Sequence, residues 1–301
     1  AALWALTVLL AVPGPGPERA PAEPSLVLRP YLAATRLQFV DSSSPTPLMV
    51  GPNPPIFLGL AASWRGLGAS ASFAIGSVGS PEDLAPSDAT DLSLFWHGEQ
   101  WAVDVFIQRF SGLYEDDEET GLCTDSFICG QWPDGTIDRY GGTVTYALDP
   151  DFALRTAFAQ AGAFMASRGS WLLMAGADRG TIHLPSGAGP TALTTTGATV
   201  MGAMVGGGYG HLWRSGAWWG AVLIQVGFGP LHAEIGDGDP FWDVGLKSNL
   251  KFSGGFDLGH GFLGINGFGD RFGPIGGDED KDRSSVAWQT IYVELFGGLR
   301  F

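Results

Sequence analysis

The stretch PPIFLGLAASWRGLGASASFAIGSV, Pro54 to Val78, decides the fold. In its first arm Ile56, Leu58, Leu60, Ala62 and Trp64 alternate with Phe57, Gly59, Ala61, Ser63 and Arg65. In its second, Leu67, Ala69, Ala71, Phe73 and Ile75 alternate with Gly68, Ser70, Ser72, Ala74 and Gly76. Period two puts each set on its own side of a strand, and Arg65-Gly66 is the tight turn between them. One face is apolar and the other is small or weakly polar. A soluble sandwich would bury the apolar face and turn Lys, Glu and Thr to water. A hairpin with so little charge is predicted to meet lipid with its outer face.

Composition agrees. The 301-residue chain holds 46 glycines and 11 tryptophans but only 16% charged residues, against about a quarter in ordinary soluble domains. No internal run reaches the roughly 18 apolar residues of a membrane helix. A chain that spans must therefore close its strands into a barrel, because lipid offers no partner to an open sheet edge. The net charge of −15 argues against nucleic acid, which requires clustered Lys and Arg. Ala1 to Val12, AALWALTVLLAV, followed by the proline-rich Pro13 to Pro24, reads as a signal-peptide remnant and leader. Export is expected, with cleavage near Ala20 or Ala22. Residues 1–22 are the leader and 23–301 one barrel domain.

Other alternating segments follow. Leu28 to Val40 is a first strand, with Arg29, Tyr31, Ala33, Thr35, Leu37 and Phe39 on one side. Asp41 to Asn53 and Gly79 to Thr90 read as loops. Asp91 to His97 and Trp101 to Phe110 pair across Gly98-Glu99-Gln100; Arg139 to Leu148, Phe152 to Ala166 and Ser170 to Asp178 read as three strands. Ala198 to Trp213, Ala217 to Gly229, Asp243 to Leu258, Gly261 to Phe272 and Val286 to Phe301 complete thirteen candidates. With the amino terminus inside, short turns and long loops alternate through residue 138 and then invert. Either a strand hides in Leu113 to Asp138 or one candidate is spurious. Bacterial single-chain barrels have even counts, so the expectation is an all-β, transmembrane, antiparallel up-and-down barrel of about twelve strands, with fourteen the alternative.

Trp64, Trp96, Trp101, Trp171, Trp213 and Trp218 stand beside expected turns, as an interfacial aromatic girdle does; strand-end core aromatics are the plainer reading. The last strand ends on Phe301 and looks like the signal that barrel-assembly machinery reads. The runs Gly51 to Gly76, Phe95 to Tyr114 and Asp138 to Gly142, followed by FALRTAFAQ and SRGSWLLMAG, resemble an exported family, domain of unknown function 4421. The similarity covers roughly Tyr31 to the end, and the hairpin and the string Trp101 to Tyr114 are its most specific parts. The resemblance implies an outer-membrane barrel and carries over no catalytic residues.

Charged or polar residues on regular strands are expected to line the lumen: Arg36, Asp104, Gln108, Arg109, Arg139, Arg155, Lys247, Lys251, Asp257 and Arg300. They would either line a narrow passage or seal it with structural ion pairs, as in narrow barrels filled by side chains. Cys123 and Cys129 are expected to form a small disulfide in an oxidising compartment. The acidic runs Glu115 to Glu119 and Asp278, Glu279, Asp280 and Asp282 lack EF-hand spacing; they are solvated loops by default, with Ca2+ the alternative. His97, His183, His211, His232 and His260 show no metal-ligand spacing, and no cofactor motif stands out. The functional expectation is a bacterial outer-membrane barrel, structural or a passive small-solute channel, whose partners are lipid and the assembly machinery. The alternatives are a barrel-borne lipid-modifying enzyme, for which no local Ser–His motif is visible, and a secreted soluble β-sandwich binder.

Overall fold

The structure, a computed structural model, describes residues 26–41, 48–77, 87–117, 121–122, 130–155, 158, 167–185, 197–236, 238–274 and 286–301. The leader, Cys123, Cys129 and the acidic residues Asp278 to Asp282 lie outside them, as does most of the run Glu115 to Glu119 on the side-chain level.

Fourteen strands are present among the described residues: β1 (Leu26–Asp41), β2 (Leu48–Pro52), β3 (Pro55–Trp64), β4 (Leu67–Ser77), β5 (Asp88–His97), β6 (Trp101–Asp117), β7 (Gly121–Leu122), β8 (Gln131–Ala147), β9 (Arg168–His183), β10 (Gly197–Ser215), β11 (Trp218–Ile235), β12 (Phe241–Asp257), β13 (Gly261–Pro274) and β14 (Val286–Arg300). All but β7, which pairs only with β6, form an antiparallel ring closed by β14 on β1 from Val27↔Arg300 to Asp41↔Val286. The closing seam extends one residue further, because Leu26 and Phe301 exchange backbone hydrogen bonds of 3.2 and 2.9 Å. β2 and β3 run in the same direction and follow one another along one line. Twelve lines of chain therefore make the wall.

The alternation read from the sequence sets the two faces. Leu58, Leu60, Leu67, Phe73 and Ile75 are exposed on the outside, while Phe57, Ala61, Ser63 and Ser72 are buried inside. The same parity runs around the ring, so Ile107, Leu173, Val205, Ile224, Phe228, Leu263 and Leu295 add to a continuous outer apolar band. At the β3–β4 turn Arg65 and Gly66 both have positive φ, 51° and 87°. Two such residues in succession match the twist of the flanking strands.

Two sequence expectations are corrected. The described part of Phe152 to Ala166 is not a strand: β8 pairs directly with β9, and the chain turns helically at Leu154 and Arg155, while residues 156–157 and 159–166 lie outside the described residues. Arg155 therefore stands on a connection and not on the wall. Asp41 to Asn53 is not all loop, because it contains β2.

β2 changes the shape of the ring. It pairs with β1 through Phe39↔Val50 and with β6 through Val50↔Glu115, above the point where β4 and β5 end. β6 is redirected at Gly112, where φ is +76° and the register with β8 shifts between Ser111 and Leu113, the work of a bulge. Below it β6 pairs with β5; above it, with β2. Buried Ser87 pins the junction: its Oγ accepts from the Asn53 amide at 2.8 Å and donates to the Gly112 carbonyl at 2.6 Å. The wall has twelve lines at its turn end and ten at its loop end.

Candidate functional site

Inward parity brings the chemistry together inside the barrel. The loop-side half of the lumen is filled by Leu37, Phe39, Phe110, Ile137, Phe272 and Trp288, all buried, with the Phe39 and Trp288 rings 5.1 Å apart. The turn-side end is filled by Leu172, Leu212, Leu223 and by Phe152 and Leu154 of the β8–β9 connection. That connection is tied to the β5–β6 turn by backbone bonds from Leu154 to Glu99 (3.0 Å) and Arg155 to Gly98 (2.9 Å). Arg168 clasps it from outside at Asp149 and Asp151, both at 2.9 Å. This hydrogen bond from Arg168 holds the exposed Asp149 carboxyl below its ordinary range, so the clasp persists down through mildly acidic pH and is lost as pH falls through that lowered value.

Between the two apolar layers lies a cavity of about 240 Å3. Arg29, Arg139 and Lys251 of its lining each meet a carboxylate. Lys251 Nζ lies 2.8 Å from Asp104, whose other oxygen is 2.8 Å from His97 Nε2. Arg139 reaches across the lumen to Asp270 at 3.4 Å and donates to the Thr290 hydroxyl at 2.5 Å. Arg29 lies 3.5 Å from Glu294, which also accepts from Asn266 (3.1 Å) and Tyr292 (2.8 Å). Asp91 accepts from Gln108 at 2.8 Å and Ser93 at 3.3 Å. Above the cavity, Lys247 and Asp178 form a further pair at 2.5 Å, each side chain 3% exposed.

Of the residues expected in the lumen, Asp104, Gln108, Arg139, Lys247 and Lys251 face the interior, and Asp257 and Arg300 pair at 2.8 Å at its turn end. Arg36 and Arg109 do not. Arg36 is exposed on the outer face, and Arg109 is 70% exposed there, 3.8 Å from Asp138. Arg109 is one residue out of phase with the inward set Asp104, Phe106, Gln108. Glu294, Tyr292, Asp270, Asp91 and Asp178 were missed by sequence reasoning. Their signal was present as alternation, with Tyr292 and Glu294 set between Ile291, Val293 and Leu295.

Ser70, Ser93, His97 and several carboxylates line the cavity. Ser93 donates to Asp91, and His97 is engaged with Asp104, so these two side chains are not joined as nucleophile and base. Among the described residues no group of His, Cys, Asp and Glu is arranged to hold a metal ion. Trp64, Trp96, Trp101, Trp171 and Trp218 are exposed on the outer face at the turn end, and Trp213 is half-buried beside them.

A closed antiparallel ring with an apolar outer band and an interior of paired charges defines the fold of the outer-membrane β-barrels. Residues 26–269 match the family model described as Domain of unknown function (DUF4421), and the chain belongs to that family. No sequence match to a curated protein was found. Similar solved structures include the outer membrane protease OmpT from Escherichia coli, at 10% identity over 95% of this chain and 99% of that one, with a TM-score of 0.45. The toluene transporter TodX from Pseudomonas putida is similar at 10% identity over 94% and 90%, TM-score 0.33, and OmpT of Vibrio cholerae at 9% over 92% and 100%, TM-score 0.33. At these identities the likeness concerns the fold alone.

Proposed function

We propose that this protein is an integral barrel of the bacterial outer membrane whose lumen is sealed by its own side chains, so that it serves as a structural barrel and not as an open diffusion channel. The observation that carries this reading is the arrangement of the lumen: Arg29, Arg139, Lys247 and Lys251 each have a carboxylate partner, and buried apolar side chains pack into the interior on both sides of the cavity. Such a lumen is a packed core of the kind found in small barrels. The outer band supports the membrane setting, since a contiguous exposed apolar surface of this extent has no place on a soluble monomer.

Planar-bilayer recording tests the sealed state. Protein extracted from the outer-membrane fraction, shown by gel mobility to run differently unheated and boiled, is expected to give no sustained conductance. A steady ohmic current whose ion selectivity changes in Asp104→Asn would replace this reading with a passive channel. Recovery in the soluble fraction, with identical mobility before and after boiling, would remove the membrane reading itself.

A further inference from the structure

The two rims of the outer band differ chemically. Five exposed tryptophans stand on the turn side, against Trp242 on the loop side among the described residues. Four outward-facing cations of the wall lie towards the loop side, Arg36, Arg109, Arg179 and Arg271, whereas Arg168, the first residue of β9, is exposed at the turn end against Asp149 and Asp151. Arg36 is ten residues along from Leu26, Arg271 ten from Gly261, Arg179 eleven from Arg168 and Arg109 eight from Trp101. With a rise of ~3.3 Å per residue and a tilt near ~40°, that is roughly 20–28 Å above the turn end, about the height of a barrel's apolar band. At this height Arg109 faces Asp138 across the β6–β8 pair, and Arg36, Arg179 and Arg271 are the other outward cations.

Arg271 stands at the rim of a groove. Its cross-strand neighbours Ser248 and Gln289 are uncharged. One step towards the turn end, Leu250, Gly269, Ile291 and Arg36 lie side by side on β12, β13, β14 and β1. Gly269 makes the floor: a Cβ there would meet only the Thr290 carbonyl oxygen, at 3.9 Å. The resulting groove has a volume of about 290 Å3. Polar donors line its upper edge and apolar side chains its lower part.

We propose that this groove seats a phosphate-bearing lipid of the loop-side leaflet, its phosphate held by Arg271 with Gln289 and Ser248 and approached by Arg36, its acyl chain running over Gly269 between Leu250 and Ile291. The arginine fork matches phosphate geometry, and the order of polar above apolar matches the order within a lipid. This assignment rests on the membrane reading above.

The test uses the full-length barrel in detergent, adding bisphosphorylated lipid A, its dephosphorylated counterpart, or inorganic phosphate, and follows the temperature at which the unheated gel form converts to the boiled form. Bisphosphorylated lipid A is expected to raise that midpoint by about 5 °C or more at saturation, with little effect from the other two. Arg271→Leu, and separately Gly269→Leu, which fills the groove from an outward position, are expected to lose at least half of the rise while keeping the lipid-free midpoint. Equal rises with both lipids, a rise reproduced by inorganic phosphate, or a full rise in both variants would overturn the proposal and leave the barrel standing. A wild-type protein without any heat-modifiable form would instead sink the membrane reading, and this site with it.

Discussion

Lys247 and Asp178 show what the interior demands of single residues. Both side chains are 3% exposed and bonded to each other across the lumen between β12 and β9. Asp178→Ala leaves an ammonium buried without its counter-charge and is expected to destabilise the barrel by about 3–5 kcal/mol, whereas the joint change Lys247→Met with Asp178→Leu should recover most of the loss. Urea unfolding from lipid vesicles measures both; a single variant within about 1 kcal/mol of wild type would show that the pair is not desolvated as its burial implies. At this scale parity is the legible part. Asp104, Gln108, Arg139, Lys247 and Lys251 could be placed inside by alternation alone. Arg109 was misplaced because charge was weighed above phase. Arg36 was misplaced for a physical reason: β1 outruns the apolar band, so its outer face carries Leu32 low down and Arg36 and Gln38 higher up. Which acid pairs with which base was not legible, since Arg139 and Asp270 are 131 residues apart in sequence.

Among the elements, the organising hairpin was the easiest to read, because its turn chemistry and both arms agree. Its one local conflict is Arg65, a non-glycine residue at φ 51°, whose guanidinium lies 5.1 Å from the Trp64 ring. Asparagine tolerates this conformation better. Arg65→Asn is expected to stabilise by about 0.5–1 kcal/mol net of the lost ring contact, measured as a slower unfolding rate; a faster rate would mean that the ring contact outweighs the backbone term. The connection from Phe152 onward was misread. Its phenylalanines and leucine look like a strand in a chain full of strands, yet FALRTAFAQAGAFMA is rich in alanine, a strong helix former, and Phe152 and Leu154 are buried inside the lumen end. β2 escaped notice because five residues between prolines and serines carry too short a pattern for period two to register.

For the whole molecule, the expected count of twelve matches the lines of chain in the wall, and the inversion of turns and loops after residue 138 was the trace of the misread connection. Closure was legible only as a requirement of lipid; the seam itself joins Leu26 to Phe301, the two ends of the described chain. Phe301 joins by backbone bonds and leaves its ring 61% exposed. Phe301→Ala is accordingly expected to refold in detergent with unchanged midpoint while its yield in the outer membrane of cells falls several-fold, read by quantitative blotting; equal yields would exclude a part for the ring in assembly. The pinned junction at Ser87 also fixes depth. A membrane strand needs about 9–11 residues; β4 and β5 have 11 and 10, while β10 and β11 have 19 and 18. The long strands carry the wall well past the lipid, and the short pair stops near it. The chain thus leaves the wall at Ser77 and returns at Ser87 close to the headgroups, but turns between Ile235 and Phe241 far out in water, so that epitopes placed at these two sites would present an antibody with two different distances to the cell surface.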